Sequence, residues 1–194
     1  MPIELKAGLQ VLPFADLAAF EAWLAVQPRD ARGLWVMFAK QGSGLASVSK
    51  SDAIDAALCH GWIDGQLEKY DTVHWLVRFT PRRPNSKWSE INCKRAEALI
   101  AAGRMQAGGQ AQIDAAKADC RWAAAYAPAS SASVPADLQA ALDAQPLAAK
   151  FFATLTGANR YAILYRIGTV KTAATRARKI SEYVSMLARG ETLH

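Results

Sequence analysis

Apolar residues first recur at helical spacing between Phe14 and Leu24, where Leu17, Phe20, Trp23 and Leu24 share one face and Asp16 stands near the helix start. Leu34 to Ala39 is apolar on both faces and rich in β-branched and aromatic residues, which predicts a buried strand. Lys40 to Ser49 is a Gly/Ser-rich loop. A helix then begins at Ser49 or Ser51, with Asp52 in its first turn and Ile54, Ala57 and Leu58 inward, and Gly61 supplies the left-handed residue that closes it. Two strands follow, 62–64 and 74–80, joined through 65–73 as a hairpin or longer loop. In the second, Trp75, Val77 and Phe79 share one face and Leu76, Arg78 and Thr80 the other, before Pro81 and Pro84 stop it. Helices are expected from Ser86 or Ser89 to Ala102, closed by Gly103, and from Ala107 to Tyr126.

The stretch 127–134 is small, polar and uncharged, the composition of a linker. Beyond it Pro135 and Pro146 each sit at a helix start, and apolar stripes predict four helices, the last two covering 160–167 and 172–188. The expected architecture is α+β. An N-terminal domain over 1–126, with a small antiparallel sheet and helices, precedes a linker at 127–134 and a helical module over 135–194.

Composition narrows the class. A chain of 194 residues that is 52% hydrophobic and 21% charged can bury a core. Its longest apolar runs are too short to span a bilayer, and its N-terminus lacks the basic and apolar regions of a secretory leader. Three scattered cysteines, Cys59, Cys93 and Cys120, fit free thiols in a reducing compartment, so a cytoplasmic location is expected. The net charge of +6 is concentrated: 78–104 holds seven basic and two acidic residues, and 160–194 the same. Such segments suit an anionic partner or simply solvate helix faces.

Several groups in 40–92 carry candidate chemistry. Lys40-Gln41-Gly42-Ser43-Gly44 lets backbone N–H groups converge beside a lysine, an anion cradle without the spacing of a nucleotide phosphate loop; a plain strand-to-helix connection explains it equally. Asp64 stands between Trp62 and Gly65. Walled off by Trp62 and Trp75 it would act as an acid or base; beside a guanidinium, or in a turn, it is structural, and the turn chemistry favours the structural role. Arg78, Arg82, Arg83, Lys87, Lys94 and Arg95 face only Glu90 in charge, so Arg78 and Arg82 are candidate anion holders, with Trp88 to stack on a flat ligand and Asn92 to orient it. A solvated basic face with Trp88 in the core is the competing reading. His60, His74, Cys59 and Asp64 match no metal-ligand spacing, so neither metal nor cofactor is expected.

The chain resembles the YdeI/OmpD-associated, or bacteriocin-protection, family. The residues that carry the resemblance are strand 34–39, Lys40 with Gly42-Ser43-Gly44, Ala57-Leu58-Cys59 with Gly61-Trp62-Ile63-Asp64-Gly65, Arg78-Phe79-Thr80-Pro81-Arg82, Trp88-Ser89 with Asn92, Gly103-Arg104-Met105, and Lys117-Ala118-Asp119 with Arg121-Trp122. In the tail they are Arg160-Tyr161, Lys171 and Thr175-Arg176-Ala177-Arg178-Lys179-Ile180, with alanine at 174 where the family's module often carries glutamate. The resemblance spans almost the whole chain. It implies a bacterial protein tied to envelope stress or to resistance against antibacterial peptides and proteins, and brings no established enzyme activity.

The leading expectation is therefore a stress-protection protein whose N-terminal cleft, lined by Lys40, Ser43, Trp62, Asp64, Arg78, Arg82, Trp88 and Asn92, takes a small anionic or planar polar ligand or an acidic partner segment. Were it an enzyme, Asp64 would be the acid/base and Arg78 and Arg82 the charge stabilisers. The alternatives are nucleic-acid binding through 78–104 and 160–189, which no recognition motif accompanies, and a protein-interaction module with the tryptophans purely in the core.

Overall fold

The computed structural model describes residues 4–170 and 172–193, which leaves Lys171 outside the described residues. The chain is α+β and divides into two compact units, Met1–Trp88 with Asn92–Ala124, and Ser89–Ile91 with Ala125–His194.

The first unit is built on a five-stranded sheet in the order β1-β2-β3-β5-β4. Its strands are β1 (Leu5–Lys6), β2 (Leu9–Pro13), β3 (Leu34–Ala39), β4 (Trp62–Lys69) and β5 (His74–Pro81). The sequence reading missed β1 and β2. Their signal is short: Leu9 and Val11 alternate with Gln10, and Ala7 (φ 51°) and Gly8 (φ 73°) form the left-handed two-residue turn that joins the strands. The pairings are antiparallel except β2–β3, which is parallel. Helix α1 (Leu17–Ala25) makes that pairing possible, because parallel neighbours need a crossover connection. The Asp16 carboxylate caps α1 by accepting from Ala19 N–H at 2.8 Å.

Side-chain alternation along β5 sorts the core as expected. Val77 and Phe79 face α1 and α2 (Lys50–Cys59), joining Phe14, Phe20, Leu24, Leu34, Val36, Phe38 and Trp62. Leu76 faces the other way, against Leu9, Val11 and Trp35. Over that second face the two outermost strands are bridged: Lys6 Nζ on β1 pairs with the Glu68 carboxylate on β4 at 2.5 Å, and the Tyr70 hydroxyl donates to Glu4.

Helix α3 (Glu90–Ala101), from Asn92 onward, and helix α4 (Ala107–Ala118) complete the unit. Arg95 pins α3 to α2 through Asp55 at 2.8 Å. Helix α4 stops eight residues short of the expected Tyr126. Cys120 takes a left-handed φ of 64° and Trp122 N–H returns to Ala116 O. The turn brings Trp122 against Trp88, ring centroids 4.8 Å apart, a tertiary contact that a continued helix would forgo.

The second unit packs α5 (Ala136–Asp143), α6 (Pro146–Thr154), α7 (Gly157–Gly168) and α8 (Ala173–Ala188) around Leu138, Leu142, Phe152, Ile163, Ile167 and Leu187. Ala132 and Val134 also pack on this core. Arg176 organises the bundle. Its Nε and Nη2 donate to Asp137 at 2.6 and 2.9 Å, and its Nη1 donates to Ile167 O at 2.9 Å. The Arg160 guanidinium lies 4.5 Å from the Phe152 ring. Two of the basic tail residues thus hold the bundle together.

Candidate functional site

The residues singled out in sequence separate in space. Ala39 pairs with His74, while Trp62 pairs with Pro81 at the other end of β5. The eight-residue strand β5 separates the two pairs, about 23 Å for its seven steps at about 3.3 Å per residue. Lys40 and Ser43 therefore sit at the end of the sheet opposite Trp62 and Arg82. Lys40 Nζ donates to Asp71 O and Thr72 O at 2.7 and 3.1 Å, closing the β4–β5 turn, and Ser43 N–H donates back to Lys40 O. Asp64 pairs with Phe79 and shares the helix-covered face, whereas Arg78 pairs with Trp35 and points to the other side of the sheet. The backbone alternation puts the sheet itself between Asp64 and Arg78. Asn92 is half-buried on α3.

Trp62, Arg82 and Trp88 do converge. Arg82 is 5% exposed, its guanidinium stacks 3.6 Å from the centroid of the buried Trp88 ring, and its Nη1 donates to Lys87 O. Trp62 meets Trp23 edge-on at 5.5 Å. Trp88 belongs to the core beneath Arg82, so it cannot stack on an outside ligand.

Arg82 and Trp62 line a cleft of about 210 Å³ together with Leu24, Gln27, Arg29, His60 and Gln112, among others. Sequence reasoning missed three of these, Arg29, Gln27 and Gln112. Only the fold gathers them, from the segment that follows α1 and from α4, beside His60 at the end of α2. The junction under the cleft depends on glycines. Gly61 (φ 80°) closes α2, and a Cβ there would lie 2.6 Å from Gly108 O; a Cβ on Gly108 would lie 2.8 Å from His60 O. Gln106 N–H donates to Cys59 O at 3.2 Å, so the start of α4 abuts the end of α2 with opposite helix-dipole ends in contact.

The electrostatics of the cleft are one-sided. Its lining includes Arg29, Arg82 and His60 and no carboxylate. Arg29, His60 and Gln112 make no side-chain hydrogen bond among the described residues, while Gln27 Nε2 donates to Trp23 O at 2.9 Å. Burial holds His60 below its usual pKa, the Glu21 carboxylate opposing. Burial pushes the Cys59 thiol up, the Arg104 guanidinium opposing, so Cys59 stays a thiol at neutral pH rather than a thiolate nucleophile. Because the folded His60 resists protonation, the unfolded chain binds its proton first as pH falls. Folding stability is then expected to be untouched by His60 above about pH 6.5 and to decline as pH drops through that value towards the lower folded pKa. Urea midpoints measured from about pH 7.5 to about pH 5 should show His60→Gln with the shallower loss; superimposable profiles would refute this assignment.

Among the described residues, no cluster of three or more His, Cys, Asp or Glu side chains is placed to hold a metal ion. No helix among them is long and apolar enough to cross a membrane.

Fold and cleft together define an α+β domain with a cationic surface cleft, in a chain that continues into a helical bundle. The chain belongs to the family described as a domain of unknown function, DUF8412, whose model matches residues 12–112. Residues 131–190 match the family described as bacteriocin-protection, YdeI or OmpD-associated, the family recognised from the sequence. That match falls in the C-terminal part, whereas most of the N-terminal Trp, Gly and Arg motifs lie within the first model. Comparison with curated proteins and with solved structures gave no match.

Proposed function

We propose that the N-terminal unit binds a small anionic ligand in the cleft between the ends of α1 and α2 and the start of α4, in a protective role of the kind the C-terminal family label describes. The observation that carries this reading is the lining itself: two guanidiniums, an imidazole and two amides, no carboxylate, and three of those side chains without a partner among the described residues. A volume of about 210 Å³ lies below the roughly 300–1,000 Å³ of drug-sized pockets and suits a carboxylate or phosphate group. Arg82 forms a rigid charged floor because Trp88 holds it, and the exposed Arg29 closes over the anion. Asp64, outside the cleft lining, has no part in this reading. In the same reading the protein acts in the cytoplasm, and 135–194 serves as a separate module beyond the 127–134 linker.

Thermal shift and calorimetry with phosphate, sulfate and short carboxylates test the proposal. An anion that fits should stabilise the N-terminal unit by about 2.7 kcal/mol at a concentration near 100 times its Kd. Arg29→Ala should weaken that binding about tenfold without altering the fold, since an exposed charge-assisted contact is all that is lost. Lys40→Ala, at the far end of the sheet, should bind as the parent does. Equal binding by Arg29→Ala, or no anion-dependent stabilisation at millimolar concentrations, would overturn the proposal.

A further inference from the structure

A second concavity of about 370 Å³ adjoins the first and shares Ala25 and His60 with it. Its lining is Glu21, Ala22, Ala25, Cys59, His60, Arg104 and Gln106. Unlike the first, this lobe contains a carboxylate, Glu21, beside the guanidinium of Arg104. Glu21 Oε1 accepts from Arg104 Nη2 at 3.0 Å, and the other oxygen, Oε2, makes no hydrogen bond among the described residues. Both side chains of that ion pair are 38% exposed, so solvent and ligand reach them. Glu21 and Ala25 lie one helical turn apart on α1, about 6 Å at about 1.5 Å per residue. Arg29 and Arg82 line the first lobe and not the second.

From this juxtaposition we infer that the two lobes form one groove for a zwitterionic ligand, whose carboxylate is held at Arg29 and Arg82 and whose amine or guanidinium is held at Glu21. The inference rests on the anion reading of the first cleft and adds the ligand class. An anion alone fills the first lobe and leaves Glu21 unused. A dianion would bring its second charge to Glu21, and the one guanidinium in this lobe, Arg104, is already engaged by that carboxylate. A cationic group more than about 6 Å from the carboxylate meets an open carboxylate oxygen and forms a charge-assisted hydrogen bond. Free ω-amino or basic amino acids and short peptides with a terminal carboxylate share this chemistry.

Calorimetry with 4-aminobutanoate, 6-aminohexanoate and 8-aminooctanoate, with hexanoate as the amine-free reference, tests the groove in the intact chain. One ω-amino acid is expected to bind about tenfold more tightly than hexanoate, as a charge-assisted contact allows. Glu21→Gln should bring that ligand down to the hexanoate level while hexanoate binds at least as well as before, because Arg104 is released. Arg104→Gln should act in the opposite direction and tighten the ω-amino acid, since Glu21 then has no competing cation. Triglycine compared with 6-aminohexanoate separates the two sources, and a preference for either upholds the zwitterion class. If hexanoate binds and the amine adds nothing, or Glu21→Gln leaves the preference intact, this inference is overturned and the anion reading stands. If neither hexanoate nor any ω-amino acid binds, this inference falls, and stabilisation by phosphate or sulfate decides whether the anion reading falls with it.

Discussion

Gly109→Ala is expected to lower the melting temperature of the N-terminal unit by roughly 10 °C or more, a loss of about 3 kcal/mol. A Cβ at this helical position would lie 2.3 Å from Cys59 O, 2.5 Å from Leu58 O and 2.5 Å from Met105 Sδ. The methionine can swing away. The two carbonyls cannot, because they belong to the last turn of α2, whose closing residue Gly61 is itself fitted against Gly108 O. One methyl group therefore forces two helices apart, against the Gln106–Cys59 hydrogen bond that ties them. The same movement displaces His60 and Gln112, so anion binding should weaken together with stability. Gly168→Ala is the control. That glycine ends α7 with nothing within 4 Å of its would-be Cβ and no left-handed φ, and alanine there should be neutral or stabilising by up to about 1 kcal/mol. Calorimetric melting of both variants decides the matter; a Gly109→Ala melt within about 2 °C of the parent would mean that the helix junction yields easily.

Trp88 carries the second large effect, and its size should depend on the replacement. The side chain is 2% exposed, packs against Trp122 and carries the Arg82 guanidinium on its ring. Trp88→Ala removes that stack and opens a cavity, at a cost of about 3–5 kcal/mol. Trp88→Phe should cost far less. The buried Nε1 has no hydrogen-bond partner among the described residues, so phenylalanine discards a desolvated N–H that was costing about 1–3 kcal/mol and keeps an aromatic face for Arg82. Smaller volume and lost stacking area work the other way, leaving a net loss of about 1 kcal/mol or less. Denaturant unfolding of the three proteins separates these outcomes. Were Trp88→Phe as damaging as Trp88→Ala, the indole N–H would have to be satisfied, and the assignment of Trp88 to a purely packing role would be wrong.

The local elements were legible where one residue dictates a conformation. Asp16 and Ser49 cap α1 and α2, Gly61 and Gly103 close helices with left-handed φ, and Pro81 ends β5. Strands β1 and β2 escaped because one tight turn and two buried apolar side chains make too short a pattern to distinguish from a loop. The end of α4 escaped for a different reason. Nothing between Asp119 and Tyr126 breaks a helix in sequence, and the chain turns there because Trp122 is worth more against Trp88 than in another helical turn. Gly108 and Gly109 were visible as residues but not as a helix junction, since their partners Cys59 and His60 are some fifty positions away.

The candidate site was legible only in part, and the division follows from the sheet. Arg82 and Trp62 were found because they flank a strand end whose paired residues, Trp62 and Pro81, can be guessed from hairpin geometry. Lys40 and Ser43 were grouped with them by proximity in sequence, yet an antiparallel pairing sends neighbouring loops to opposite ends of a strand. By itself the sequence determined the α+β class, the strand faces, most helix ends and the presence of concentrated positive charge, all of which depend on side-chain period and backbone preference within a few residues. Tertiary structure alone decided which charges share a cleft. Arg29, His60, Arg82 and Gln112 meet because a parallel β2–β3 crossover lays α1 beside α2, and because two glycines let α4 touch the end of α2. Contacts between distant segments are set by what the whole packed core permits, and no local window of sequence contains that information.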